Sequence, residues 1–146
     1  MNRNTIATTC IAFASVSFAS ASYAACPSKT IFACTTTKGK AVEVCESPKT
    51  VAYSFGKKGA NPEMALSVPK SAASKRQMQF VGARSYYSVL IPNGKTVYEV
   101  FSSYLDDESH GIDVHVGGKK VATLTCKPDT VTDNMFDVQL KEAPEE

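Results

Sequence analysis

The chain has 146 residues, with 16 Lys and Arg against 14 Asp and Glu, for a net charge of +2. That near-balance excludes the basic excess that holding a nucleic-acid backbone requires. The length gives room for one small domain and no more.

The first predicted element is a targeting segment. Arg3 and the N-terminal amine supply a positive start, and Ile6 to Ala21 form an uncharged, mostly apolar stretch diluted by Ser and Thr. Ser22-Tyr23-Ala24 then offers a small–x–small cleavage site before Ala25. This is the pattern of a secretory signal peptide, too short and too weakly apolar to span a bilayer. Residues 1–24 are therefore expected to be removed, leaving residues 25–146 as a single β domain of charge +1, because Arg3 is the only charged side chain lost.

Cys10 leaves with the signal. Cys26, Cys34, Cys45 and Cys126 remain, and four cysteines in an oxidising compartment predict two disulfides with three possible connectivities. A metal site would need closely spaced thiolates of the C-x-x-C kind, which the chain lacks. Tyr23-Ala24-Ala25-Cys26 also resembles a bacterial lipobox, although Tyr23 stands where Leu is usual. Acylation of Cys26 would strand one of the other three thiols, so a periplasmic or secreted protein without a lipid anchor is expected.

The mature chain reads as strand after strand. Thr30 to Thr37 and Lys40 to Glu46 flank the turn Lys38-Gly39. Thr50 to Phe55 alternates Val51, Tyr53 and Phe55, and Glu63 to Val68 alternates Met64, Leu66 and Val68 before Pro69. Lys70 to Lys75 is a small polar connection. Arg76 to Val81 puts Met78 and Phe80 on one face, and Gly82-Ala83 interrupts it. Arg84 to Ile91 and Lys95 to Tyr104 are joined by Pro92-Asn93-Gly94, the strongest hairpin turn in the chain. An acidic loop, Asp106 to Gly111, precedes the alternating Ile112, Val114 and Val116, and Val121 to Cys126 is the last clear strand. Val131 to Leu140 reads as one helical turn followed by a short strand. The pairs Lys57-Lys58, Lys75-Arg76 and Lys119-Lys120 fall at turns or strand ends, as solvated charge.

About eight short antiparallel strands without a long helix must close or stack to bury their apolar face. We expect an all-β fold, a meander curled into a small disulfide-stapled barrel, with a β-sandwich as the alternative. Strand positions favour Cys34 with Cys126, tying first strand to last, which leaves Cys26 with Cys45.

The chain carries no G-x-S-x-G, H-E-x-x-H or P-loop motif. In a strand Asp113 and His115 share the solvent face, and His110 falls in the preceding loop, so His110-x-x-Asp113-x-His115 reads as an ordinary polar row and not as a metal centre. Asp106-Asp107-Glu108 lacks calcium-loop spacing. We expect no catalytic set, no metal and no cofactor. Val81-Gly82-Ala83-Arg84-Ser85-Tyr86-Tyr87 stands out because Arg and Tyr are the residue types enriched in binding hot spots, and a hairpin can present them together with Asn93-Gly94-Lys95.

These residues carry a resemblance to the periplasmic and membrane-bound inhibitors of c-type lysozyme. Phe32-Ala33-Cys34 matches the family's aromatic-x-Cys, and Cys126 its late partner cysteine. Gly82-Ala83-Arg84-Ser85-Tyr86 stands where the family has a Ser-Gly-x-x-Tyr loop, and Asn93-Gly94-Lys95 where it has a Lys-Gly turn. The chain departs in having Val81 for the loop serine, no Trp, and Lys95 after the glycine. Tyr53 to Pro69 also looks like a segment of uncharacterised small exported Gram-negative proteins, which names no function. The resemblance implies a small β-barrel that enters an enzyme cleft with Arg84, Ser85, Tyr86 and Lys95, a cation and a hydroxyl meeting catalytic carboxylates. The expected function is an exported non-enzymatic interaction protein, a candidate inhibitor of lysozyme or another peptidoglycan-cleaving enzyme. The alternatives are an envelope glycan or small-ligand binding module stacking sugars on Tyr53, Tyr86, Tyr87, Tyr98 and Tyr104, and an enzyme built on Asp113 and His115.

Overall fold

The computed structural model describes Cys26 and residues 28–144; the predicted signal peptide lies outside them. The elements are β1 (Lys29–Thr35), β2 (Lys40–Glu46), β3 (Thr50–Lys57), β4 (Met64–Pro69), β5 (Ser74–Gln79), β6 (Ser85–Asn93), β7 (Thr96–Tyr104), β8 (Ser109–Val116) and β9 (Lys119–Thr125), with two-residue strands β10 (Thr132–Asp133) and β11 (Lys141–Glu142). Short 3-10 turns at Pro128–Thr130 and Met135–Asp137 flank β10. Among the described residues no helix is long and apolar enough to cross a membrane.

The strands form two sheets, in the orders β10-β1-β2-β3-β4 and β11-β5-β6-β7-β8-β9. All pairings are antiparallel except β11 with β5. The expected barrel is not formed, and the arrangement is sandwich-like. The sheets join on one side, where the chain leaving β9 passes from β8 to β1. There the Cys126 amide donates to the His110 carbonyl at 2.9 Å, Cys126 bridges Thr36, and the Lys127 amide donates to the Thr35 carbonyl at 2.8 Å. On the other side β4 and β11 are both edges. The physical reason lies in the connection between β4 and β5. The Ala72 and Ala73 amides both donate to the Pro69 carbonyl, a tight turn that carries the chain to the second sheet instead of pairing the two strands.

Alternation puts Phe32, Val44, Val51 and Tyr53 of one sheet against Val89, Ile91, Val100 and Ile112 of the other, all at most 2% exposed. Each such side chain contributes about 1.5–3 kcal/mol by leaving water. The Tyr53 and Tyr98 rings stack across this core with centroids 5.1 Å apart. The C-terminal segment crosses from β1 to β5, burying Met135 and Val138.

Cys34 is bonded to Cys126 where the sheets join, and Cys26 to Cys45 on β2. Both sulfurs of the second pair are thereby engaged. The remaining differences from expectation are local. The strand expected at Arg76 begins at Ser74, so Lys75 and Arg76 lie within it, and it ends before Phe80. The tail holds two 3-10 turns, not one helical turn.

Candidate functional site

Two places gather chemistry-bearing side chains. The first is the β5–β6 loop. The Phe80 amide donates to the Arg84 carbonyl at 2.9 Å and closes a tight loop. Gly82 has φ +81°, a conformation that a side chain would strain. The tip lifts Val81 into solvent, 94% exposed, beside half-exposed Phe80. The Arg84 guanidinium lies 3.1 Å from Asp106 Oδ2, and both groups are exposed, so the pair contributes at most about 1 kcal/mol and exchanges readily. Exposed Phe136 meets Tyr87 edge-on at 5.9 Å. A hollow of about 240 Å³ at this loop is lined by Phe80, Arg84, Ser85 and Tyr87.

The hairpin does not present the four expected contact residues together. Arg84 belongs to the loop, and Ser85 opens β6 opposite Gln79 and Tyr104. Tyr86 lies on the outer face of the sheet. Lys95 sits in the β6–β7 turn at the far end of a nine-residue strand, roughly 30 Å from Arg84 at strand rise. Phe80, Val81 and Phe136 are exposed at the loop end and were not among the expected contacts.

The second place is the outer face of the six-stranded sheet. Here an acid is buried on the side where alternation predicts solvent. The Glu99 side chain is 5% exposed. Its Oε1 accepts from Arg76 Nη1 at 3.1 Å, Tyr86 OH at 3.1 Å and Ser88 Oγ at 2.8 Å. His115 Nε2 lies 3.2 Å from Oε2, within ion-pair distance but off the line of a hydrogen bond. Asp113, opposite Glu99 on β8, accepts from Lys120 and Thr123. Leu90, Val97 and Gly118 complete a small pocket of about 110 Å³ around Glu99 and His115. Burial, followed by the charge of Glu99 and its hydrogen bond, pushes the Tyr86 phenol far above its ordinary value.

Asp113 and His115 do share the outer face. His110 is not a loop residue: it lies in β8, 4% exposed, with its ring edge-on to Tyr104. Its imidazole therefore cannot converge with His115 on an ion. Its Nδ1 is 2.9 Å from Ser102 Oγ and its Nε2 is 3.1 Å from Glu108 Oε1. The order serine, histidine, acid is that of a hydrolase triad, but Ser102 is 0% exposed and no substrate carbonyl can reach it. Among the described residues, the group of His, Cys, Asp or Glu close enough to hold an ion is Cys26, Glu43 and Cys45, and its two sulfurs are in a disulfide.

Of the five tyrosines weighed as sugar platforms, Tyr53 and Tyr98 stack in the core, and Tyr87 and Tyr104 pack inward together. Tyr104 OH donates to Asp133 Oδ2 at 2.8 Å. Burial, this bond and the Asp133 charge push its phenol up to about 12. The folded chain thus holds the Tyr104 proton more tightly than the unfolded chain, whose phenol titrates near 10. The stability this contributes is whole below about pH 10 and is lost as pH rises toward about 12. We expect the denaturant midpoint to fall across that window, and to fall less in Tyr104→Phe. Equal losses in the two proteins would contradict the assignment.

No family model, curated protein or solved structure matches the chain.

Proposed function

We propose that this is an exported, non-enzymatic interaction protein that inhibits a peptidoglycan-cleaving enzyme by inserting its β5–β6 loop into the enzyme's cleft. The observation that carries the reading is Val81, 94% exposed at the tip of a hydrogen-bond-closed loop with Arg84 at its base. An apolar tip is costly in water and gains by entering a cleft. Arg84 can leave exposed Asp106 for a carboxylate in a drier groove, where a bidentate pair is stronger. The resemblance to inhibitors of c-type lysozyme rests partly on this same stretch. Export to the periplasm or beyond is supported by the signal-peptide pattern of residues 1–24 and by two disulfides, which persist in oxidising compartments.

The test is lysozyme activity in the presence of oxidised residues 25–146, against c-, g- and i-type enzymes. Stoichiometric inhibition of at least one class is expected. Val81→Asp and Arg84→Ala should each weaken it about 30-fold, the loss typical of a hot-spot residue. Lys95→Ala, at the far end of the hairpin, should leave it unchanged. Full activity of all three classes at large molar excess would sink the proposal.

A further inference from the structure

The outer face of the six-stranded sheet carries two nearly parallel rings beside a buried carboxylate, which is not the construction of an ordinary solvated face. Phe101 lies across Gly111: a Cβ there would meet the Phe101 ring at 3.2 Å and the Leu124 carbonyl at 2.5 Å. The glycine leaves room for the ring over β8. Tyr86 reaches over from β6 and anchors its hydroxyl on Glu99. The two rings are nearly parallel, with 12° between their planes and centroids 6.2 Å apart. Met78, opposite Tyr86 and 40% exposed, extends the apolar strip.

Beside this strip runs a row of ordered polar groups, Arg76, Glu99, Asp113 and Thr123. Every carboxylate in the row already has its cation: Glu99 has Arg76, and Asp113 has Lys120. The face therefore carries no net charge with which to prefer an anion or a cation. A ring pair set beside the part-exposed Arg76 guanidinium and Asp113 carboxylate fits a neutral pyranose, whose C–H face packs on aromatic rings while its hydroxyls meet those two groups. The groups are held before any ligand arrives, so little ordering cost remains.

We infer that the outer face around Tyr86 and Phe101 is a binding site for a neutral glycan. It is separate from the β5–β6 loop and does not depend on the inhibitor reading.

The experiment is an amide NMR titration of oxidised residues 25–146 with soluble N-acetylglucosamine and glucose oligomers. Saturable shifts are expected at Tyr86, Phe101, Gly111 and Asp113, with the same affinity at low and high salt. Phe101→Leu keeps an apolar side chain over Gly111 but removes the ring, and should abolish the shifts while the rest of the spectrum stays folded. Asp113→Asn is a second variant and should weaken binding without loss of fold. The inference is overturned if neither oligomer gives saturable shifts, if the shifts fall on the loop or the other sheet, if salt removes them, or if Phe101→Leu binds like the parent. Lysozyme inhibition by Phe101→Leu should be unchanged, which keeps failure of this site distinct from failure of the loop.

Discussion

Replacing Cys34 and Cys126 together by alanine should lower the unfolding free energy by about 4–5 kcal/mol, the largest loss expected of any change to one bond in this chain. The disulfide spans 92 residues, and in the chain-entropy model the constraint on the unfolded state grows with the loop closed. It also sits where the chain passes from β9 to β1, the place at which backbone hydrogen bonds join the two sheets. Small domains hold only about 5–15 kcal/mol in all, so the variant should be close to the edge of folding at body temperature. The second disulfide spans 19 residues and ties down only the start of the domain. Removing it should cost about 3 kcal/mol at most. Guanidinium unfolding of the two double-alanine variants, followed by circular dichroism, measures both losses. Equal losses, or a larger loss for Cys26 and Cys45, would mean that the crossing from β9 to β1 is held by its backbone hydrogen bonds without help from the disulfide.

This ranking follows from features that were partly legible in the amino-acid order. Period-two alternation and the turn residues located all nine longer strands, because a half-buried strand advertises its two faces directly. The positions of Cys34 and Cys126 in the first and last of them suggested the pair. Whether the sheet would close was not legible. That depends on one edge, β4 against β5, and it is decided by the turn in which Ala72 and Ala73 bond back to Pro69, a short segment with no distinctive pattern. His110 was misplaced because the following glycine reads as a loop signal. Gly111 is in fact a strand residue that makes room for the Phe101 ring, a requirement of a neighbouring strand that adjacent residues cannot reveal. The separation of Arg84 from Lys95 was available in principle, since nine strand residues lie between them. The cluster around Glu99 was hidden for another reason. Alternation puts Glu99 on the face opposite Tyr98 and Val100, but says nothing of a roof formed by Tyr86, Arg76 and His115 from three other strands.

That roof supports a second large effect. Glu99→Ala should destabilise the fold by about 3 kcal/mol, because it leaves the Arg76 guanidinium and two hydroxyls facing a space that no longer accepts them. Arg76 is 24% exposed and recovers some hydration, which places the loss at the lower end of that for breaking a buried pair. Glu99→Gln keeps the shape and one acceptor oxygen and should lose about half as much. The informative variant removes both charges. Arg76→Met combined with Glu99→Leu leaves no guanidinium or carboxylate to solvate, only the Tyr86 and Ser88 hydroxyls without their acceptor, and should lose clearly less than Glu99→Ala, since apolar residues of similar volume often replace a buried pair at little cost. Urea unfolding of the three proteins tests the argument. If Glu99→Ala falls within about 0.5 kcal/mol of the parent, the carboxylate behaves as an exposed surface pair and its burial carries little energy. If the double variant is as damaged as Glu99→Ala, the hydroxyls of Tyr86 and Ser88 need the acid more than the arginine does. The order of the tyrosine platform then depends on Glu99 directly, through the hydrogen bond that the Tyr86 hydroxyl donates to it.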